Sequence, residues 1–207
     1  PPGISIRDVL VVMREGQHIN RRLTIAEGLN VRQVIEVLHK TKGLEGRISP
    51  SPEEGTLLPD TYYFSFGAMR QSIVDQMSSQ MDSLLEKLWT NRALDSPIKT
   101  KKDAIILASI VEKETGLAAE RGRIAGVFIN RLRLGMRLES DPTVRYAITG
   151  GKRKLARGLK KSELRREHPF NTYRVHGLPP GPICNPGKEA IAAVLNPERT
   201  SALFFVA

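Results

Sequence analysis

Two carboxylates close a nearly unbroken apolar run. Residues 104–116 read Ala-Ile-Ile-Leu-Ala-Ser-Ile-Val-Glu-Lys-Glu-Thr-Gly, with Glu112 and Glu114 at the end. On a helix, Leu107, Ile110 and Val111 precede Glu114 by seven, four and three residues and share its face. A carboxylate that continues a buried stripe loses hydration when charged, so its pKa rises. Gly116 reads as the residue just past the helix, which places Glu114 at the negative end of the helix dipole and pushes the same way. An acid still protonated near neutral pH can act as a general acid. The same pattern also fits an ordinary surface glutamate in a last helical turn. Glu112 follows the smaller, less apolar Ala108 and Ser109 and is the alternative acid.

A second chemistry-bearing stretch runs from His168 to Gly187 and is dense in proline and glycine. Such a loop has little conformational freedom, and rigid loops carrying residues such as Asn171 and Tyr173 suit substrate-orienting hydrogen bonds, though a purely structural turn has the same composition.

The elements that position these residues follow from periodicity. Ser5–Met13 and Asn30–Leu38 echo each other: a Ser or Asn cap, an acidic or amide residue three positions on, then apolar residues at helical spacing. Gly16 and Gly43 supply the stops. His18 to Ile25 reads as a strand with a turn at Glu27-Gly28, so the first fifty residues suggest a small α+β module. Residues 43–56 read as a connection, and Leu57–Phe64 as an extended segment joining the parts. An amphipathic helix is expected from Met69 to Trp89 with Ile73, Met77, Leu84 and Leu88 inward. After a break at Asp95–Lys99, Thr100 and Asp103 form a capping box for the apolar helix. Glu120–Leu132 reads as a second helix, carrying Ile124, Val127, Phe128, Arg131 and Leu132 on one face. Met136–Ser140 alternates like a short strand, and Asp141-Pro142-Thr143 opens a turn or helix. A last helix spans Lys188–Leu195, and Leu203–Val206 reads as a terminal strand.

The 207 residues suffice for one good core or a core with a small appendage, and 40% apolar with 26% charged residues is ordinary for a globular chain. No stretch approaches the roughly 18–20 apolar residues of a membrane span. The opening Pro1-Pro2-Gly3 and the closing apolar run look like the ends of an excised piece, with any anchor outside it. A net charge of +10 favours a polyanionic partner. Residues 151–168 hold much of that charge without the interleaved aromatics of a nucleic-acid module, so they read as a solvated basic loop and helix, and no nucleic acid is expected. The single Cys184 excludes an intramolecular disulfide, and His18, His39, His168 and His176 include no helix-borne zinc pair, so no metal is expected.

Three ordered stretches resemble the YceG-like family of endolytic murein transglycosylases (MltG). They are Ala108–Thr115; Val127–Thr143; and Asn171-Thr-Tyr173 with Gly177–Ile183 and Asn185-Pro-Gly187. Leu58–Tyr62 is similar to the segment ahead of that family's catalytic part. The resemblance implies an α+β fold in which a small LysM-like module (residues 1–50, shortened at its start) precedes a connecting segment and helix (51–100). A mixed α+β catalytic domain (101–207, cut short at its end) follows. It further implies a single-pass inner-membrane enzyme whose catalytic part lies in the periplasm, held by an N-terminal helix outside this sequence. Its partners would be peptidoglycan glycan strands and peptidoglycan synthases. The second glutamate of the Glu-Lys-Glu motif, Glu114, would be the acid/base that cleaves the MurNAc–GlcNAc bond and leaves 1,6-anhydro-MurNAc ends, with no cofactor. Asn130, Asp141, Asn171 and Tyr173 are expected to orient the glycan. The alternative from another class is a non-catalytic glycan- or polyanion-binding module of the cell envelope.

Overall fold

The computed structural model describes residues 5–15, 20–153 and 155–205, and it mixes helices with two small sheets. Helix α1 (Ile6–Glu15) starts at Ser5, whose Oγ accepts the Asp8 N–H at 3.1 Å. The expected stop Gly16, the strand start at His18, and Val206 lie outside the described residues. Strand β1 (Arg21–Thr24) leads through the Glu27-Gly28 turn into α2 (Val31–Lys40), whose Asn30 and Gln33 form the expected capping box.

The stretch expected to be a bare connection carries β2 (Leu44–Glu45). The extended segment after it supplies β3 (Thr61–Phe64). β3 does not simply join two parts: it pairs antiparallel with β1, Arg21 opposite Phe64 and Thr24 opposite Thr61. Tyr62 and Phe64 thereby enter the same core as Leu23. Alternation hid this because Tyr62-Tyr63-Phe64 is aromatic on both faces, and only Tyr63 is exposed. β4 (Ala68–Met69) runs parallel to β2.

Helix α3 (Arg70–Thr90) serves two cores. Ile73, Val74 and Met77 pack with Leu23, Val34, Leu38 and Tyr62, whereas Met81 and Leu85 belong to the second core. The inward stripe therefore follows 73, 77, 81 and 85. The expected Leu84 and Leu88 are only partly buried beside it. Steps of four rotate a stripe slowly around the helix, which is how one helix faces two cores in turn.

The second core is built from α4 (Lys101–Glu114), α5 (Ala118–Arg133) and α8 (Lys188–Leu195), which pack on one another with α8 also touching α3. Leu107, Ile110, Phe128 and Ile191 are fully enclosed there. Between α5 and α8 lie α6 (Asp141–Thr149) and the single-turn α7 (Lys161–Leu164). Two expected strands are not strands. Residues 136–140 are irregular and unpaired with any sheet, held instead by Glu139 N–H donating to Thr172 O at 3.1 Å. The segment ending in Leu203–Phe205 is irregular and lies on α5, with the Phe128 and Phe205 rings edge to face at 5.4 Å. Its backbone is satisfied by side chains rather than a neighbouring strand. Gly126 lets it approach, since a Cβ there would meet Glu198 O. No helix among the described residues is long and apolar enough to cross a membrane.

Candidate active site

Glu114 is the last residue of α4, and Leu107, Ile110 and Val111 on its face are fully buried. The helix stops differently from the expectation. Gly116 is not among the left-handed glycines. The stop is Thr115, in extended conformation, whose Oγ1 accepts the Leu117 N–H at 3.0 Å and donates to Glu120 Oε2 at 2.6 Å. A side-chain hydroxyl replaces the glycine turn as the means of satisfying the helix end. Burial raises the Glu114 pKa and is the largest influence on it. A hydrogen bond from Ser140 opposes it, Asp141 adds to it and Arg131 opposes it. Desolvation dominates, so the protonated form persists above the ordinary carboxylate range.

The partner on the facing wall is Ser140, which donates from Oγ to Glu114 Oε1 at 2.5 Å. Ser140 is itself held firmly: its N–H donates to Thr172 Oγ1 at 2.9 Å, and its carbonyl accepts from Thr143 Oγ1 at 2.6 Å. The Thr143 and Thr172 hydroxyls are 2.8 Å apart. All three residues are buried, so their hydroxyls satisfy one another rather than water. Glu139, just ahead, is the one non-glycine residue at positive φ (51°) among the described residues. The carboxylate of Glu139 lies 3.6 Å from Arg131 Nη1, and the buried Arg131 also donates to Leu138 O at 2.8 Å and Leu203 O at 2.6 Å.

Asp141 opens α6, followed by Pro142 in the first turn. Its Oδ1 accepts from the Tyr173 hydroxyl at 2.8 Å. Burial raises the Tyr173 pKa, with Asp141, Glu139 and Glu114 pushing the same way, so the phenol stays a proton donor. Glu114, Asp141 and Tyr173 are thus brought into one cluster, with Ser140 and Arg131 joining them.

Asn171 stands behind this cluster. Its amide donates to the carbonyls of Leu164 at 3.1 Å and Arg166 at 2.7 Å, closing the end of α7, while its Oδ1 accepts the Tyr173 N–H at 3.0 Å. The side chain is fully committed and aligns Tyr173. Asn130 is used elsewhere. Its amide donates to Thr200 O at 2.7 Å and Ala202 O at 3.1 Å, pinning the C-terminal segment to α5.

Glu112 has a different environment from Glu114. One oxygen accepts the Gly187 N–H at 3.0 Å, and the other lies 3.1 Å from Arg121 Nη2, which also holds Glu27 at 2.8 Å. Burial raises the Glu112 pKa, the Gly187 bond lowers it, Glu27 raises it and Arg121 lowers it. Both oxygens are occupied by structural partners. Gly187 is needed here, because a Cβ would collide with the Glu27 carboxyl.

Sequence reasoning missed Ser140, Thr143, Thr172 and the Glu27–Arg121 pair. The one visible signal was Arg131, a cation in an otherwise apolar helical stripe. Among the described residues, no group of three His, Cys, Asp or Glu side chains could hold a metal ion. Cys184 is buried, with its thiol pKa pushed up by burial.

Comparison with known proteins places the chain in a family. The YceG-like family model matches residues 1–207. The chain is 39% identical over 157 residues to an endolytic murein transglycosylase of Bacillus subtilis, covering 75% of this chain and 42% of that protein. It is 33% identical over 159 residues to an endolytic murein transglycosylase of Streptococcus pneumoniae, covering 74% of this chain and 28% of that one. The chain therefore spans less than half the length of these relatives. A yceG-like protein of Listeria monocytogenes, known from a crystal structure, superposes with a TM-score of 0.74 at 27% identity, covering 100% of this chain and 77% of that one. A family match along the whole chain, together with a shared fold, identifies the chain as a member of the YceG-like family.

Proposed function

We propose that this chain carries the active part of an endolytic peptidoglycan lytic transglycosylase, with Glu114 as its single acid/base. The observation that supports this best is a carboxyl whose pKa burial raises, hydrogen-bonded and oriented by Ser140 beside Asp141 and Tyr173. A raised pKa favours the protonated form that a general acid needs, and a fixed direction makes the donation efficient.

In the reaction, Glu114 protonates the oxygen linking MurNAc C1 to GlcNAc as the C1–O bond breaks. The C6 hydroxyl of the same MurNAc forms the new bond to C1, and its proton passes to the Glu114 carboxylate. No water is consumed, the acid is restored, and the products are a 1,6-anhydro end and a free GlcNAc hydroxyl. Hydrolytic glycosidases need a second carboxylate placed for a nucleophile or a water, whereas an internal hydroxyl removes that need. Asp141, with Tyr173 donating to it, supplies negative charge near the oxocarbenium-like state. Asn171 acts through Tyr173. Glu112 serves the packing of the Gly187 turn.

In this reading, residues 1–50 are a LysM-like glycan-binding module, residues 51–100 connect, and residues 101–207 form the catalytic part. The whole protein works on the periplasmic face of the inner membrane beside peptidoglycan synthases. The similarity to named murein transglycosylases supports it. Digestion of purified sacculi followed by mass spectrometry of the terminal sugar tests it. Anhydro-MurNAc ends are expected. Reducing ends would make the protein a muramidase, and binding without new ends would make it a non-catalytic glycan-binding module.

A further inference from the structure

A cavity of about 590 Å³ lies between α2 and α6, within the size range of small-ligand sites. Its walls bring Arg32 from α2, Lys113 from α4 and Arg145 from α6 together with Lys152 and Arg153 from the basic loop. Glu36 is its one carboxylate among the described residues, and it is paired with Arg32 at 3.4 Å. Among the described residues, no carboxylate lies within ion-pair distance of Lys113, Arg145, Lys152 or Arg153. Tyr146 adds an aromatic surface to the wall.

The cavity has a fixed floor. The Asn30 amide, at the start of α2, donates to Gly151 O at 2.8 Å and ties that helix to the basic loop. Arg145 Nη1 donates to Leu155 O at 3.4 Å and Arg157 O at 3.1 Å, which holds the far side of that loop. Lys113 Nζ reaches Gly28 O at 3.4 Å. The cations thus converge on a concave space rather than spreading over a flat face. Low-dielectric walls around such a space strengthen its field for an anion.

Two wall residues place it relative to the chemistry. Lys113 precedes Glu114 and Pro142 follows Asp141, so α4 and α6 each contribute one residue to the cavity and its chain neighbour to the acid/base cluster. In peptidoglycan, the sugar whose C1–O bond would be cut carries a short peptide with free carboxylates. A glycan strand seated at Glu114 carries that peptide on the same sugar as the bond to be cut.

We propose that this cavity is a subsite for the carboxylate-bearing stem peptide of the MurNAc at the cleavage point; the assignment rests on the transglycosylase reading of the neighbouring cluster. Arg32, Lys152 and Arg153 meet the peptide's carboxylates, and Tyr146 packs on its aliphatic part. The basic loop, otherwise a solvated charge run, thereby acquires a ligand.

The test titrates the whole protein with stem tetrapeptide released from sacculi by an amidase, followed by NMR shifts and calorimetry. Binding is expected to perturb resonances of Arg145 and Tyr146, to weaken with salt, and to vanish when the peptide carboxylates are amidated. The double variant Arg32→Gln/Lys152→Gln, changed only at exposed side chains, should bind about tenfold more weakly. Equal affinity in wild type and variant, or no binding by wild type, would overturn the subsite. The failure of the catalytic reading looks different: peptide binding with the expected salt and variant dependence, but no anhydro ends from sacculi, keeps the subsite and removes the transglycosylase.

Discussion

The Ser140 hydroxyl donates to Glu114 Oε1 at 2.5 Å, joining the last residue of α4 to the residue ahead of α6. Because Ser140 is anchored at its own N–H and carbonyl, the bond fixes the direction of the acid as well as favouring its charged form. Ser140→Ala removes an influence that lowers the Glu114 pKa and leaves desolvation unopposed by it. The basic limb of the pH–rate profile should move to higher pH, and turnover should fall about tenfold through lost orientation. A pH series of anhydro-end release checks this, and an unmoved profile would separate Ser140 from the acid.

Glu54 sits where the two halves meet. It accepts the Val31 N–H at 2.9 Å, with Asn185 Nδ2 at 3.5 Å. Burial pushes its pKa up to about 7, against the lowering by the Val31 and Gly55 N–H groups. A raised folded-state pKa means the native state holds a proton that the unfolded chain releases near its ordinary value. The associated stability is therefore full below about pH 4 and is lost as pH rises toward 7. Glu54→Gln keeps an acceptor for Val31 and removes the titration. Urea midpoints should show it about 2 kcal/mol more stable than wild type at pH 8, with the advantage gone at pH 4. A pH-independent difference would refute the assignment.

Arg121 bridges Glu27 and Glu112 from a buried position and links the first turn of the chain's core to α4. Arg121→Met leaves the buried Glu112 carboxylate without its cation and beside the solvent-exposed Glu27 carboxylate. Denaturant unfolding at pH 8 should show a loss of about 3 kcal/mol. The loss should shrink in acid, because Glu112, already raised by burial, takes up a proton and ends the repulsion.

The close approach at Gly126 predicts a second, purely steric effect. A Cβ would push against Glu198 O and the methyl group of Thr200, displacing the segment that Asn130 pins. Gly126→Ala should lower stability by about 1–3 kcal/mol despite its better helix propensity. A stabilised variant in thermal unfolding would show that the segment is not packed there.

Much of this arrangement was legible in the sequence because it rests on local rules. The capping boxes at Asn30 and Thr100, the apolar face under Glu114, and the helix Lys188–Leu195 follow from short-range periodicity and hydrogen bonding. What escaped depends on long-range partners. The β1–β3 pairing joins residues far apart in the chain, and aromatic residues on both faces of β3 mask its alternation. Residues 136–140 alternate as a strand would, but the Glu139 and Ser140 N–H groups go to Thr172 and that of Met136 to Arg131 O rather than to a ladder. Asn130 and Asn171 are polar residues in promising places, yet each amide is consumed by backbone carbonyls of a distant loop or helix end. Composition alone cannot tell a substrate-facing amide from one that staples a loop.

In the proposed reaction one carboxyl, Glu114, moves the proton in both directions. Glu114→Gln is nearly isosteric and can still accept from Ser140, so the fold should survive, as circular dichroism and thermal unfolding will report. The decisive measurement is release of 1,6-anhydro-muropeptides from purified sacculi by that variant, quantified by mass spectrometry beside wild type. Loss of at least a thousandfold, with Glu112→Gln retaining turnover, is the predicted result. Anhydro ends formed by Glu114→Gln at the wild-type rate would contradict the account.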